Sequence, residues 1–470
     1  MSFAGNKLVF RGQQRSTHQF AAARNLTVTL KGNVMLQPEI LLSPLKPAIP
    51  AQGGTLDIVV RVQAPDQPAD QAAKVTPKRL ALVVDRSGSM DGEPLREALK
   101  CVAYIAGRMT PADQLALVVY DSEVDTKLTL RQTPSAARVE QIITGIRSGG
   151  STNLFGGWEE GARQLEGGVP GTISRVLLLS DGQLNCGLKD EEAIAQHCSD
   201  WLAKGISTTT VGLGRGFNED LMIAMARAGG GQQYYGRSAK DLHDSFDEEF
   251  SLLQALYLRQ LDIKLVPAQG VIVEPIGLVQ HNSDGSYRLS DLAWGAEAWI
   301  ALRLHISPSA AGSQRDLLAV SLQANNLEGQ TINAHAGPLS LPVLTQQAID
   351  ALPAETAIEQ RLLEAEFAQA TQASLDLVKR GEIEAALALL TSLEARFAHH
   401  PWLRDKLISL RELTISDRDM MMKEVQFSSV KMSRRLVAKE DIQYSKSETE
   451  SLMPAFLRRK VEEGKGRKRE

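Results

Sequence analysis

Three short segments of the sequence contain side chains that could bind a metal ion. They are D-R-S-G-S at 85–89, G-G-S-T-N at 149–153 and S-D-G at 180–182. The oxygen donors that we assign as ligands are Asp85, Ser87, Ser89, Thr152 and Asp181. Two carboxylates and three hydroxyls suit a small, hard divalent cation, and we expect Mg²⁺, with Mn²⁺ or Ca²⁺ as alternatives. The segments contain neither Cys nor His, which zinc and copper sites usually use.

Apolar runs that alternate with amphipathic segments predict the fold that positions these residues. Short buried strands are predicted at 80–85, 115–120, 176–181 and 207–213. Helices are predicted at 94–108, 135–147, 190–204 and 239–255. This alternation predicts a doubly wound, Rossmann-like α/β domain. Asp85 and Asp181 lie where predicted parallel strands end, and ligands bind at the carboxyl ends of strands in such sheets.

The D-x-S-x-S segment, the distant Thr152 and the later Asp181 resemble the metal-ion-dependent adhesion site (MIDAS) of von Willebrand factor A (VWA) domains. All five positions of that motif are filled in order, and the resemblance covers about residues 78–255. It implies a Rossmann-like fold that binds protein partners through the metal, with an Asp or Glu of the partner completing the coordination. We therefore expect a non-enzymatic adaptor of the bacterial type.

Three alternatives to this interpretation are open. Asp85, Ser87 and Ser89 are also typical of a turn or a helix cap. Family resemblance allows a subunit that works with an AAA+ ATPase of the MoxR or chelatase type; because this sequence has no ATP-binding motif, the motor would be another chain. A metal-dependent hydrolase is disfavoured, because the only acids in the three segments are the proposed ligands and no spare base is present.

The regions on either side of the predicted VWA domain differ from it in pattern. Residues 1–77 and 256–345 contain alternating strand-like runs, and we expect them to form one β-sandwich into which the VWA domain is inserted. The flanking strands resemble those of bacterial relatives of the inter-alpha-trypsin inhibitor heavy chains. Residues 346–440 are predicted to be helical, beginning with a helical hairpin, and residues 441–470 form a charged tail.

The C-terminal helices contain no part of the predicted metal site. We expect them to form a separate binding surface. The alternative is that they pack on the VWA domain and support it.

Composition limits the remaining classes of function. The 470-residue chain is 43% hydrophobic and 23% charged, which is typical of a folded globular protein. Its formal net charge of -4 gives no support for nucleic-acid binding. The N-terminus lacks the pattern of a signal peptide, and no run approaches the length of a membrane span. Cys101, Cys186 and Cys198 are three widely spaced cysteines without a C-x-x-C pair, which disfavours a disulfide framework or a thiolate zinc site. These features predict a cytoplasmic protein.

Overall fold

The computed structural model describes residues 36–68, 76–132, 134–181, 184–213, 218–236, 238–433 and 437–438. The strand-like run at 26–30 and the predicted charged tail at 441–470 lie outside these residues. Among the described residues, no helix is both long and apolar enough to cross a membrane.

The first described part of the chain contains two strands that pair with each other. β1 (Glu39–Pro44) runs antiparallel to β3 (Gly54–Gln63), and the short β2 (Ile49–Pro50) lies between them in sequence. Alternate side chains of a strand point to the same face of its sheet. The alternate residues of β3 that enter one buried core are Leu56, Ile58, Val60 and Val62.

A sheet with helices on both faces follows. Its strands are β4 (Lys78–Asp85), β5 (Gln114–Tyr120), β6 (Val124–Gln132), β7 (Ile173–Ser180), β8 (Ile206–Leu213) and β9 (Gly230–Gly236). Its helices are α1 (Glu93–Arg108), α2 (Ala136–Thr144), α3 (Leu154–Gln164), α4 (Glu191–Ala203), α5 (Glu219–Ala228) and α6 (Ala239–Gln254). The strand order is β6-β5-β4-β7-β8-β9, and β6 is antiparallel to β5 while the other pairs are parallel.

Burial explains why these strands are continuous apolar runs. Every residue of β4 is buried, with Leu80 and Leu82 in the core on one face of the sheet and Ala81 and Val83 in the core on the other. Strands that are covered on both faces need apolar side chains at successive positions. The predicted α/β fold is confirmed.

The next part of the chain is built of two further sheets. Its strands are β10 (Leu256–Pro267), β11 (Val271–Ile276), β12 (Gln280–His281), β13 (Tyr287–Arg288), β14 (Leu292–Ala293), β15 (Ala296–Ile306), β16 (Gln314–Asn325) and β17 (Thr331–Leu344). One sheet has the order β1-β3-β15-β11, and the other has the order β12-β13-β10-β16-β17-β2. Buried residues of both sheets belong to one hydrophobic core, which includes Val60, Leu302, Ile263 and Val320.

The predicted C-terminal helical region is confirmed, and it is larger than a hairpin. Its helices are α7 (Gln346–Asp350), α8 (Thr356–Lys379), α9 (Ile383–Arg396), α10 (Pro401–Ser416) and α11 (Arg418–Ser433). The predicted hairpin at the start of this region corresponds to α8 and α9, and α10 and α11 add Leu407 and Met421 to the same buried core. α8 also packs on the first of the two sheets, where Ile358 and Leu362 share a buried cluster with Val59.

Candidate metal centre

The two predicted carboxylate ligands lie at the ends of neighbouring parallel strands. β4 ends at Asp85, which is fully buried, and β7 ends at Ser180, directly before Asp181. Val84 pairs with Leu179 in this part of the sheet. Burial raises the pKa of Asp85, and the negative charge of Asp181 raises it further, while hydrogen bonds to Asp85 oppose the shift. The two acids therefore interact electrostatically at one edge of the sheet.

Neutral hydrogen-bond donors hold the Asp85 carboxylate. The Ser87 N–H donates to Oδ1 at 2.8 Å, and the Ser180 hydroxyl donates to Oδ2 at 2.7 Å. The Tyr120 hydroxyl lies 3.2 Å from the same Oδ2 and 3.0 Å from Ser180 Oγ, so it donates its single proton to one of them. Tyr120 and Ser180 were not among the predicted ligands. Ser180 stands in the third ligand segment, and each of the two is the last residue of a strand next to β4.

The predicted serine ligands lie in a short turn that follows β4. Ser87 Oγ and Ser89 Oγ are 3.1 Å apart. Ser87 is buried and Ser89 is exposed, so this pair leads from the buried Asp85 to the surface. The Gly88 N–H donates to the Gly150 carbonyl at 3.1 Å, which joins the first predicted ligand segment to the second.

Thr152 is joined to the third segment through the loop that follows β7. Thr152 is fully buried, and the Asn185 amide donates to its hydroxyl at 3.0 Å. The backbone N–H groups of Asn185 and Cys186 also donate to the Thr152 carbonyl, at 3.3 and 3.1 Å. The structure thus brings the three segments to the same edge of the sheet, with direct contact between the serines and a bridging Asn185 beside Thr152.

The chemistry of these side chains fits a hard cation. The described residues include no group of three or more His, Cys, Asp or Glu side chains that could hold a metal ion. The donor set here instead combines two carboxylates with hydroxyl oxygens, which Mg²⁺ accepts. Arg86, which follows Asp85 in sequence, pairs with Asp121 at 3.0 Å, so the partners of Asp85 remain neutral. A divalent cation between Asp85 and Asp181 would offset the repulsion between their charges.

The start of α5 lies next to this edge of the sheet. The Asn218 N–H donates to the Asp181 carbonyl at 2.8 Å, and the Asn218 side chain accepts from the Leu221 N–H at 3.1 Å, which caps the helix. The next residue is Glu219, whose Oε1 lies 3.7 Å from Nζ of Lys423 in α11. The C-terminal helices therefore reach the α/β domain beside the candidate metal centre.

Glu219 makes the stability of the folded chain depend on pH. Burial raises the pKa of its carboxyl from 4.5 to about 7; Asp220 and Asp419 also raise it, whereas Lys423 and Lys379 lower it. Between these two pH values the folded chain retains a proton that the unfolded chain has released. The free energy of unfolding therefore falls as the pH rises through this range.

We expect Glu219→Gln to remove that part of the pH dependence. The fall in unfolding free energy between about pH 5 and 7 should be smaller than in the wild type, by up to roughly 3 kcal/mol. Urea denaturation at several pH values measures it. Glu382→Gln is the control, because Glu382 is 49% exposed in a surface ion pair. Equal pH dependence in Glu219→Gln and the wild type would contradict this assignment.

Comparisons with known proteins bear on the α/β domain and on the whole chain. A family model described as von Willebrand factor type A domain matches residues 80–248. The protein sll0103 of Synechocystis sp. is 24% identical over 336 residues, which are 68% of this chain and 79% of that protein. Inter-alpha-trypsin inhibitor heavy chain H4 of Bos taurus is 27% identical over 216 residues. That match includes 42% of this chain but only 23% of the heavy chain.

Two solved structures have the same fold over most of the chain. The von Willebrand factor type A protein from Catenulispora acidiphila aligns with a TM-score of 0.59 at 16% identity and covers 89% of this chain and 96% of its own. The ArnB paralog VWA2 from Sulfolobus acidocaldarius aligns with a TM-score of 0.52 at 14% identity, with 84% and 99% covered. Together with the strand order and the family match, these likenesses identify residues 80–248 as a von Willebrand factor type A domain.

Proposed function

We propose that Asp85, Ser87, Ser89, Thr152 and Asp181 form an intact MIDAS that holds a divalent cation, with Mg²⁺ expected first and Mn²⁺ or Ca²⁺ as alternatives. An Asp or Glu carboxylate of a protein partner completes the coordination. VWA domains are protein-interaction modules, and that coarser function follows from the family match. The observation that carries the proposal is the pair of buried, interacting carboxylates next to an exposed serine hydroxyl.

The position of Ser89 supports partner binding at the cation. Ser89 is exposed and lies 3.1 Å from the buried Ser87, whose backbone N–H orients Asp85. A cation bound beside these groups has protein ligands on its buried side and solvent on the other. A partner's carboxylate can then replace a water ligand, since Mg²⁺ usually keeps several waters in protein sites.

The side chains that contact the ligands support binding over catalysis. Asp85 is contacted by Ser180 and Tyr120, and Thr152 by Asn185. Burial raises the pKa of Tyr120 well above its ordinary value, and the charge of Asp85 raises it further. Tyr120 therefore stays protonated near neutral pH and cannot act as a general base there. We propose a non-enzymatic adaptor.

We also propose that the sheets on either side of the VWA domain form one β-sandwich with that domain inserted between its strands. β3 precedes the domain and β15 follows it, and the two pair from Gln63 with Glu297 to Gly54 with Ile306. Core residues from both sheets support this arrangement. Limited proteolysis tests it, because a sandwich of this kind stays associated after cleavage between β3 and β4.

Metal-dependent capture of partners is the test of the proposed function. Immobilised full-length protein is incubated with cell extract in Mg²⁺, and bound proteins are eluted with a chelator. We expect partners that elute with the chelator and are absent from Asp181→Ala beads. Ser148→Ala is the matched control, because Ser148 hydrogen-bonds Asp91 near the site and is outside the ligand set.

The captured partner is then purified and its acidic residues are changed to Asn or Gln. Loss of binding on removal of one Asp or Glu supports coordination by that carboxylate. An AAA+ ATPase that binds through the C-terminal helices would remain on the beads in chelator. Identical captured proteins on wild-type and Asp181→Ala beads would contradict the proposal.

A further inference from the structure

One residue joins the Asp181 segment to two helices. Asn218 donates its backbone N–H to the Asp181 carbonyl at 2.8 Å and accepts a hydrogen bond from the Leu221 N–H at 3.1 Å. Its side-chain amide also donates to Glu191 at the start of α4, at 3.0 Å. A displacement of the first turn of α5 would therefore move the backbone hydrogen bond that fixes Asp181.

The C-terminal helices also contact this first turn. Lys379, the last residue of α8, forms an ion pair with Asp220. Gln426 of α11 donates to the same Asp220 carboxylate at 3.1 Å. Lys423, also in α11, is 3.7 Å from Glu219 and lies over the ring of Tyr235 in β9, 5.1 Å from its centre. The Lys423 side chain is 4% exposed, so this contact is an internal one.

We propose that helices α8 and α11 set the cation affinity of the metal centre. They do so by holding the first turn of α5 in place, so that the Asn218 N–H keeps its hydrogen bond to the Asp181 carbonyl. The proposal rests on the function proposed above. Lys379, Lys423 and Gln426 act in it as positioning residues that do not contact the cation. Loss of outer contacts that orient metal ligands lowers affinity even when the ligands themselves are unchanged.

The coupling must act in both directions. If the helices favour cation binding, the cation favours the helix contact by the same factor, because coupling between two equilibria is reciprocal. Cation binding at the metal centre would then stabilise the contact between α5 and the C-terminal helices. Lys379 and Asp220, which form part of that contact, are 159 residues apart in sequence.

Asp220→Asn is the sharpest variant for a test. The Asp220 side chain is 60% exposed, so its loss leaves the core intact, yet it removes the ion pair to Lys379 and weakens the contact with Gln426. Lys423→Met is a second variant that removes the contact with Glu219. Glu382→Gln is the matched control, because it breaks an exposed ion pair with Arg380 at the end of α8 without contacting α5.

The experiment measures Mg²⁺ binding by calorimetry and hydrogen exchange of the 218–222 segment in the full-length protein. We expect Asp220→Asn and Lys423→Met to weaken Mg²⁺ binding by about tenfold and to speed exchange in this segment, while Glu382→Gln changes neither. Faster exchange with unchanged affinity would overturn the proposal and leave the metal site standing. If wild-type protein itself fails to bind Mg²⁺, the proposed function falls and the coupling falls with it. In the wild type, Mg²⁺ should also slow exchange in α11, and this effect should be absent in Asp181→Ala.

Discussion

Asp181→Ala is expected to weaken Mg²⁺ binding by more than about 100-fold, since loss of an outer contact alone costs roughly 10- to 100-fold. The affinity of a hard cation depends on the number and charge of its ligands, and this substitution removes one of two carboxylates. The remaining carboxylate, Asp85, is buried among neutral donors and cannot move to compensate. Calorimetric titration with Mg²⁺ gives the comparison directly.

Thermal unfolding supplies an independent measurement of the same substitution. Mg²⁺ at about 100 times its Kd should stabilise the wild type by roughly 2.7 kcal/mol, and the gain should disappear in Asp181→Ala. Asp125→Ala is the control, because Asp125 lies in a surface ion pair with Lys127 on β6. In the absence of metal, loss of the Asp181 charge should not lower the stability of the protein, because that charge repels Asp85. Unaltered Mg²⁺ affinity in Asp181→Ala would show that Asp181 is not a ligand.

Arg175→Met is expected to have the largest effect on stability. Arg175 lies in β7 with its side chain 2% exposed; it pairs with the equally buried Glu249 of α6 and lies 3.6 Å from Asp291. Its Nε donates to Ser207 at 2.8 Å. Glu249 also accepts a hydrogen bond from Tyr234 at 2.7 Å. The substitution leaves the Glu249 carboxylate in the interior without its cation, whereas Arg259 and Arg288 remain as positive charges near Asp291.

Removal of one partner of a buried ion pair costs about 3–5 kcal/mol, and we expect a loss of that size in urea denaturation. Arg380→Met is the control, because Arg380 is 58% exposed in its pair with Glu382 and should change stability by less than about 1 kcal/mol. The double variant Arg175→Met with Glu249→Gln should recover part of the loss, because it no longer leaves the Glu249 charge buried. A loss below about 1 kcal/mol in Arg175→Met would contradict this account.

The sequence predicted the strands that continuous burial makes apolar, and it failed where a strand is largely exposed or begins with glycines. β4 and β7 are buried throughout and were predicted. β6 was missed because Leu128 is its only fully buried residue and most of V-D-T-K-L-T-L-R-Q is polar or exposed. β9 was missed because G-G-Q-Q-Y-Y-G begins with glycines, which are poor strand formers.

Helix α3 was missed for a related reason. It contains Gly156, Gly157 and Gly161, which lower helix propensity. The structure explains Gly157, because a Cβ there would lie 2.2 Å from the ring of Tyr120, whose hydroxyl contacts the Asp85 carboxylate. Gly157, which lowers the helix propensity of α3, thus permits close packing of that helix against the Tyr120 ring.

The candidate ligands could be predicted because they occur in recognisable segments, whereas their supporting contacts could not. Ser180 and Tyr120 reach Asp85 only through the strand order of the sheet. The contact of Lys423 with Glu219 joins residues of α11 and α5, far apart in sequence, and neither has a motif. Sequence patterns indicate which face of a helix is buried. They do not indicate which charged residue, far away in sequence, that helix contacts.

The pairing of β3 with β15 has a consequence for the order in which the chain can fold during synthesis. Gln63 and Glu297 are 234 residues apart, so at typical synthesis rates the second strand emerges roughly 10 to 50 seconds after the first. The strands and helices of the VWA domain are complete in the meantime, and their contacts are more local. During this interval one edge of β3 has no partner among the described strands already made, and an unpaired edge is a site of aggregation. Nascent chains are therefore most vulnerable while the VWA domain is being made, before β15 covers that edge.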